Sequence, residues 1–140
     1  MENLYREMTK DTPEINFNIE TGELFITGAS YPENSIAFYE PVIDLINAYF
    51  RQFDKKLTLN VKLSYFNTSS SKALLDIFDI LDDKYNEGRK IEVNWHYRDD
   101  YETILENGEE FAEDLSFPFN LIEYGKEDSI KFKDRDEEEK

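Results

Sequence analysis

A chain of 140 residues suits one domain, large enough to bury roughly two-thirds of its unfolded surface without a disulfide or metal staple. It contains no cysteine, which excludes disulfide frameworks, thiolate nucleophiles and cysteine-built metal centres. Its formal net charge of -16 repels nucleic acid and anionic membrane surfaces, so neither is an expected partner.

The first six residues, Met1 to Arg6, lack the basic-then-apolar order of a signal peptide, and no segment has the apolar length of a membrane span. A cytoplasmic location with no membrane insertion is therefore expected. Residues 1–12 read as an arm without assigned structure. From Glu14 the pattern alternates, with Ile15, Phe17 and Ile19 against Glu14, Asn16 and Asn18, which predicts a half-buried strand. Thr21-Gly22 supplies a turn, and Leu24, Ile26 and Gly28 continue the alternation as the second arm of a hairpin. The turn Ser30 to Ser35 then opens a helix whose apolar residues Tyr39, Val42, Ile43, Ile46, Tyr49, Phe50 and Phe53 recur at three-four spacing. Pro41 is expected to kink its first turns or to mark a late start.

Leu57, Leu59, Val61, Leu63 and Tyr65 alternate with Thr58, Asn60, Lys62 and Ser64 in the clearest strand of the chain. A second helix carries Leu74, Phe78, Leu81 and Tyr85 on one face, with Leu75, Ile77 and Ile80 at its sides, and Asn86-Glu87-Gly88 stops it. Ile91, Val93, Trp95 and Tyr97 give another strand. A third helical stripe, Tyr101, Ile104, Leu105, Ala112 and Leu115, runs through Asn107-Gly108 as one weakened helix, and Phe117, Phe119 and Leu121 suggest a last strand. The order strand-strand-helix-strand-helix-strand-helix-strand implies parallel pairs joined by right-handed crossovers. Strands covered on both faces read as continuous apolar runs, and these alternate instead. The expectation is a two-layer α/β domain over residues 1–125: a mixed, mostly parallel sheet of about five strands, three helices on one face, and a polar face left to water or a partner. Residues 126–140 form a charged tail, ending in the solvated run Asp134 to Lys140.

Little in the sequence suggests catalysis. The single histidine, His96, lies on the polar side of a strand, where an exposed strand residue is the simplest account. Asp76, Asp79, Asp82 and Asp83 offer oxygen ligands for a hard cation, but Asp76, Asp79 and Asp83 follow the spacing of a solvated helix face. No phosphate-cradling glycine loop, dinucleotide fingerprint or EF-hand is present. No cofactor and no metal are expected, and the chain reads as a non-enzyme.

The run Asn67-Thr68-Ser69-Ser70-Ser71-Lys72 joins the clearest strand to a helix. One hydroxyl there is expected as a helix cap; four in a row are not. A phosphate at this point meets free N–H groups and the positive end of the helix dipole, with Lys72 as a counter-charge, so the helix stays folded while the surface changes what it can bind.

Three stretches carry a resemblance to the SiaC family of bacterial regulatory phosphoproteins. The first is Thr12 to Phe17, running on to Gly28-Ala29-Ser30-Tyr31-Pro32-Glu33-Asn34-Ser35 and Phe38-Tyr39-Glu40-Pro41. The second is Tyr65-Phe66-Asn67-Thr68-Ser69-Ser70-Ser71-Lys72, and the third is the acidic helix through Glu106-Asn107-Gly108-Glu109-Glu110-Phe111. The resemblance implies a fold similar to anti-sigma-factor antagonist (STAS) domains. It implies phosphorylation of Thr68 by a dedicated protein kinase and its reversal by a PP2C-type phosphatase. It also implies that the unphosphorylated form binds and activates an effector, a diguanylate cyclase, raising cyclic di-GMP. Asn67, Ser69, Ser70, Ser71 and Lys72 are expected around the phosphoacceptor and at the partner surface, with Tyr31, Pro32, Glu33 and Asn34 as a second partner-binding segment. The rival reading is a constitutive acidic protein-binding module in which Thr68 only caps a helix. A third is a metal-dependent enzyme built on Asp76, Asp79 and Asp83.

Overall fold

The computed structural model describes residues 1–125. The predicted tail, 126–140, lies outside the described residues. The elements follow in the order β1 (Leu4–Arg6), β2 (Glu14–Asn18), β3 (Glu23–Ser30), α1 (Ser35–Gln52), β4 (Leu57–Phe66), α2 (Thr68–Asn86), β5 (Ile91–Arg98), α3 (Glu102–Ala112) and β6 (Phe119–Tyr124).

They build one six-stranded sheet whose spatial order is the chain order, β1 to β6. The β1–β2 and β2–β3 pairs are antiparallel, and β3, β4, β5 and β6 run parallel. Helices fill the three connections of the parallel half, as a parallel crossover requires. The sixth strand is the arm: Leu4, Tyr5 and Arg6 pair with Phe17, Asn16 and Ile15. A run of three residues is too short to show a period in the sequence, so only pairing with β2 gives it structure.

Alternation sets the layers. Ile15, Phe17, Leu24, Ile26, Leu57, Leu59, Val61, Leu63, Val93 and Trp95 are all but inaccessible and share one core with the buried stripes of the helices. One core on one side of the sheet places the helices together on that face. The opposite face is polar, and among the described residues no helix covers it. Its centre is nonetheless shielded by its own side chains: Asn60 and Lys62 are buried, and Lys62 Nζ stands 4.2 Å from the centroid of the Tyr124 ring.

Local signals decide the helix ends. Asn34 caps α1, its side-chain oxygen accepting from the Ala37 N–H at 3.1 Å. The helix is continuous from Ser35, so Pro41 lies inside it and does not delay its start. In α2, Ile77 belongs to the core and not to its border, while Leu75 is 43% exposed. Gly88 closes α2 with a left-handed φ of +100°. The third helix ends at Ala112, so Leu115 falls in the following turn. It passes through Gly108 because Trp95 packs there: a Cβ on Gly108 would meet Trp95 Nε1 at 2.5 Å. The Trp95 indole N–H donates to the Ile104 carbonyl at 2.9 Å, fixing strand against helix.

Candidate functional site

The carboxyl ends of β3 and β4 and the amino ends of α1 and α2 meet at one corner of the molecule. Gly28 sits at a register shift in β3 with φ +125°, and Met8 occupies the space where a side chain would project. The chain then reaches Ser30, whose carbonyl accepts from the Asn67 N–H at 3.0 Å. That bond ties the end of β3 to the start of α2.

Asn67, not Thr68, is the N-cap of α2. Its backbone is extended, and its side-chain oxygen accepts from the Ser70 N–H at 2.9 Å and from the Ser69 hydroxyl at 3.1 Å. The reading of Thr68 as merely a helix cap is thereby corrected. Asparagine is as good a cap as serine or threonine, and once it takes the capping geometry the next residue becomes the first helical one. Thr68 is that residue. It is exposed, and its hydroxyl makes no hydrogen bond among the described residues.

The other hydroxyls of the run have different roles. Ser70 is fully buried, with its Oγ 2.8 Å from Ser30 Oγ and 3.2 Å from Ser35 Oγ. Ser69 Oγ lies 2.7 Å from Ser35 Oγ, and Ser30 Oγ lies 2.7 Å from the Tyr39 hydroxyl. These bonds form a chain of hydroxyls beneath the corner that joins β3, α1 and α2. Burial pushes the Tyr39 phenol up to about 12, against a smaller lowering by its bond to Ser30, so the phenol keeps its proton. Ser70 was expected at the partner surface; with no exposed area it belongs to the packing instead. Ser71 is half-buried, and Lys72 is exposed and paired with Asp76 at 3.3 Å.

The hydroxyl chain also brings the second predicted segment alongside. Ser35 opens α1 immediately after Asn34, so its bonds to Ser69 and Ser70 hold Tyr31, Glu33 and Asn34 beside the start of α2. Those three are exposed, whereas Pro32 is buried and faces inward. Tyr31 meets Tyr65 edge-to-face at 5.7 Å, and Tyr31 (37%), Tyr65 (53%) and Ile36 (80%) leave apolar surface open around the corner. Tyr65 and Ile36 are not among the sequence-predicted partner residues: Tyr65 reads as a member of the β4 alternation, and Ile36 falls outside the apolar stripe of α1. Neither α1 nor α2 has an acidic side chain in its first turn, so the two positive helix ends converge without an internal anion.

The remaining candidates lie elsewhere. His96 is half-buried on the open sheet face, its Nε2 3.5 Å from Asn60 Oδ1; burial and then the charge of Lys62 hold it down to about 4. Asp82 accepts from the Ser116 N–H at 2.7 Å, a structural bond between α2 and the segment before β6. Among the described residues no group of three His, Cys, Asp or Glu side chains is arranged to hold a metal ion, and no helix is long and apolar enough to cross a membrane.

Comparison with known proteins gives a consistent picture. The model of the SiaC family of regulatory phosphoproteins matches residues 6–124. An uncharacterised protein of Pseudomonas aeruginosa strain UCBPP-PA14 is 40% identical over 121 residues, spanning 86% of this chain and 96% of its own length. The crystal structure of apo-SiaC from Pseudomonas aeruginosa superposes with a TM-score of 0.82 at 39% identity, over 87% of this chain and 99% of that one. SiaC in complex with the diguanylate cyclase SiaD, which it activates, superposes at 0.84 and 39% identity, over 86% and 99% of the two chains.

Proposed function

Because this chain belongs to the SiaC family of regulatory phosphoproteins, we propose that it is a partner-switching regulator whose unphosphorylated form binds and activates a diguanylate cyclase and whose phosphorylation at Thr68 blocks that binding. A protein kinase adds the phosphate, a PP2C-type phosphatase removes it, and the chain itself performs no chemistry. The switch operates in the cytoplasm, where kinase, phosphatase and cyclic di-GMP meet. The observation that carries the reading is the free hydroxyl of Thr68. It is exposed at the first position of α2 while Asn67 takes the cap and Ser69 and Ser70 are tied into the corner.

The physics of the modification follows from that placement. Phosphate adds a charge of about -1.5 to -2 and several strong acceptors. At the start of α2 it meets unpaired N–H groups and the positive helix end, so the fold tolerates it. In this reading the effector seats on Tyr31, Tyr65 and Ile36 and covers Thr68 with them. Burying a dianion there costs several kcal/mol unless the partner offers a matched cation. The constitutive-module reading, which starts from the net charge of -16, loses only its account of Thr68, since Asn67 supplies the cap.

The test combines intact mass with effector affinity. Incubation with the kinase is expected to add one phosphate to the wild-type chain and none to Thr68→Ala. The Thr68→Ala protein should bind the cyclase as the unphosphorylated chain does and resist switching off, and Thr68→Asp should weaken binding only in part, having less charge and fewer acceptors. Equal cyclase affinity with and without phosphate on Thr68 would overturn the proposal.

A further inference from the structure

Helix α2 carries the phosphoacceptor at one end of a face that continues well beyond it. Thr68, Ser71, Leu75 and Asp79 recur at three-four spacing and therefore lie along one side of the helix. From Ser71 onward this side forms one wall of a groove of about 360 Å³, closed on the other side by α3 and the turn after it: Asn107, Glu110, Phe111, Glu113, Asp114 and Leu115. The floor is apolar. Leu75 is 43% exposed, an unusual position for a leucine on a helix with a well-packed stripe, and Phe111 and Leu115 are half-buried beside it. The rim is acidic. Asp79, Glu110, Glu113 and Asp114 are all exposed, the lining has no lysine or arginine, and none of the four carboxylates is ion-paired among the described residues.

We propose that this groove is a second docking site, distinct from the Thr68 corner, for a basic amphipathic helix of a partner protein. The occupant sets one or two large apolar side chains against Leu75, Phe111 and Leu115 and places lysine or arginine against the four carboxylates. Charge selects this occupant. A second copy of the chain, itself at -16, brings like charge to an acidic rim. An amphipathic helix is the usual way to present apolar anchors at one-turn spacing to a groove with an apolar lining.

The groove also behaves differently from the corner when Thr68 is phosphorylated, a consequence that rests on the reading of Thr68 given above. A partner confined to the groove leaves Thr68 uncovered, so it does not bear the dianion's desolvation cost. Thr68 is one helical turn from Ser71, well inside a Debye length of about 10 Å, so a phosphate there adds to the attraction for a basic segment. This site therefore stays open in both states, and a protein held in it remains attached while the effector at the corner comes and goes.

The probe is a synthetic amphipathic peptide of about 20 residues with leucine on one face and lysine on the other. Its control is the same peptide with glutamate for lysine. Each is titrated into the isotope-labelled full chain, unmodified or with phosphothreonine genetically encoded at position 68, and followed by amide chemical shifts. The expected shifts centre on Ser71, Leu75, Glu110, Phe111 and Leu115, and are absent with the control peptide. The double variant Leu75→Lys/Glu110→Lys, altered only at exposed positions, should weaken binding by about tenfold or more, as loss of a central anchor does. Glu113→Lys alone should weaken it less. Phosphothreonine at 68 should leave the affinity equal or raise it a few-fold. Shifts centred on the open sheet face or the Thr68 corner, a double variant that binds as wild type, an affinity that falls on phosphorylation, or a dimer that the double variant abolishes would each overturn the proposal. Cyclase binding by the wild-type chain separates the two readings: if phosphate on Thr68 still blocks the cyclase while the peptide fails to map to the groove, only the groove is lost.

Discussion

Asn67 and Thr68 differ by one position and are held in opposite ways. Asn67 is held by its backbone bond to Ser30 and by the capping bond to the Ser70 N–H; Thr68 has neither tie. Replacing Asn67 with alanine should cost about 1 kcal/mol, the usual value of a lost N-cap, and should leave Thr68 phosphorylatable. Thermal unfolding checks the first expectation and intact mass the second. His96 gives a prediction in pH. Its folded pKa, about 4, lies below the 6.5 of an unfolded histidine, so the fold favours the neutral ring. Above pH 6.5 both states are neutral and the group has no effect. As pH falls from 6.5 towards 4 the unfolded chain takes up the proton first, and stability is lost over that window. Asn60 and Lys62 face the ring across the parallel β4–β5 pair, and Lys62 adds to the effect. His96→Gln should flatten this part of the stability-pH curve relative to wild type, while the carboxylates contribute equally to both proteins.

At the scale of the element, α3 shows how packing overrides propensity. Glycine inside a helix is worth about 1 kcal/mol less than alanine, so Gly108→Ala would stabilise an isolated helix. In this fold the added methyl meets Trp95 and comes within 3.0 Å of Leu121. The tryptophan is fully buried, hydrogen-bonded to Ile104, and surrounded by Phe66, Phe78, Phe111 and Phe119 at ring separations from 5.5 to 6.4 Å. It has no room to move. Gly108→Ala is therefore expected to destabilise by about 1–3 kcal/mol, the range for overpacking, with a shift in tryptophan fluorescence. The unfolding midpoint decides between propensity and packing, because the two predict opposite signs.

At the scale of the molecule, charge dominates. A chain at -16 repels itself, and among the described residues the ion pairs are few and mostly exposed. Raising ionic strength from about 10 mM to 150 mM shortens the Debye length from roughly 30 to 8 Å and should raise the unfolding midpoint by a few degrees. A midpoint independent of salt would show that the charges are already too far apart to matter. The same field shapes recognition: surfaces that meet this protein need cationic or neutral complements wherever they touch the α2–α3 side.

Period-two alternation in β2 to β5, three-four stripes in α1 and α2, and turn residues at Thr21-Gly22 and Asn86-Glu87-Gly88 were enough to read the α/β class, the one-sided helical layer and the position of Thr68 at a strand-to-helix junction. Those features are local, and the physics that produces them acts over a few residues. Other features needed the folded chain. The strand at Leu4–Arg6 exists only through pairing with β2. The division of four adjacent hydroxyls into one free, one buried and two tied or half-buried depends on Ser30 and Ser35, some 34 to 40 residues away. The inward turn of Pro32 and the outward turn of Leu75 were likewise decided by which surfaces came together. Sequence thus determined which segments are strand or helix and where a phosphate could be placed, because hydrogen-bond periodicity and capping are short-range. Tertiary structure decided which hydroxyl is left free and what surrounds it, because solvent access is a property of contacts between distant residues.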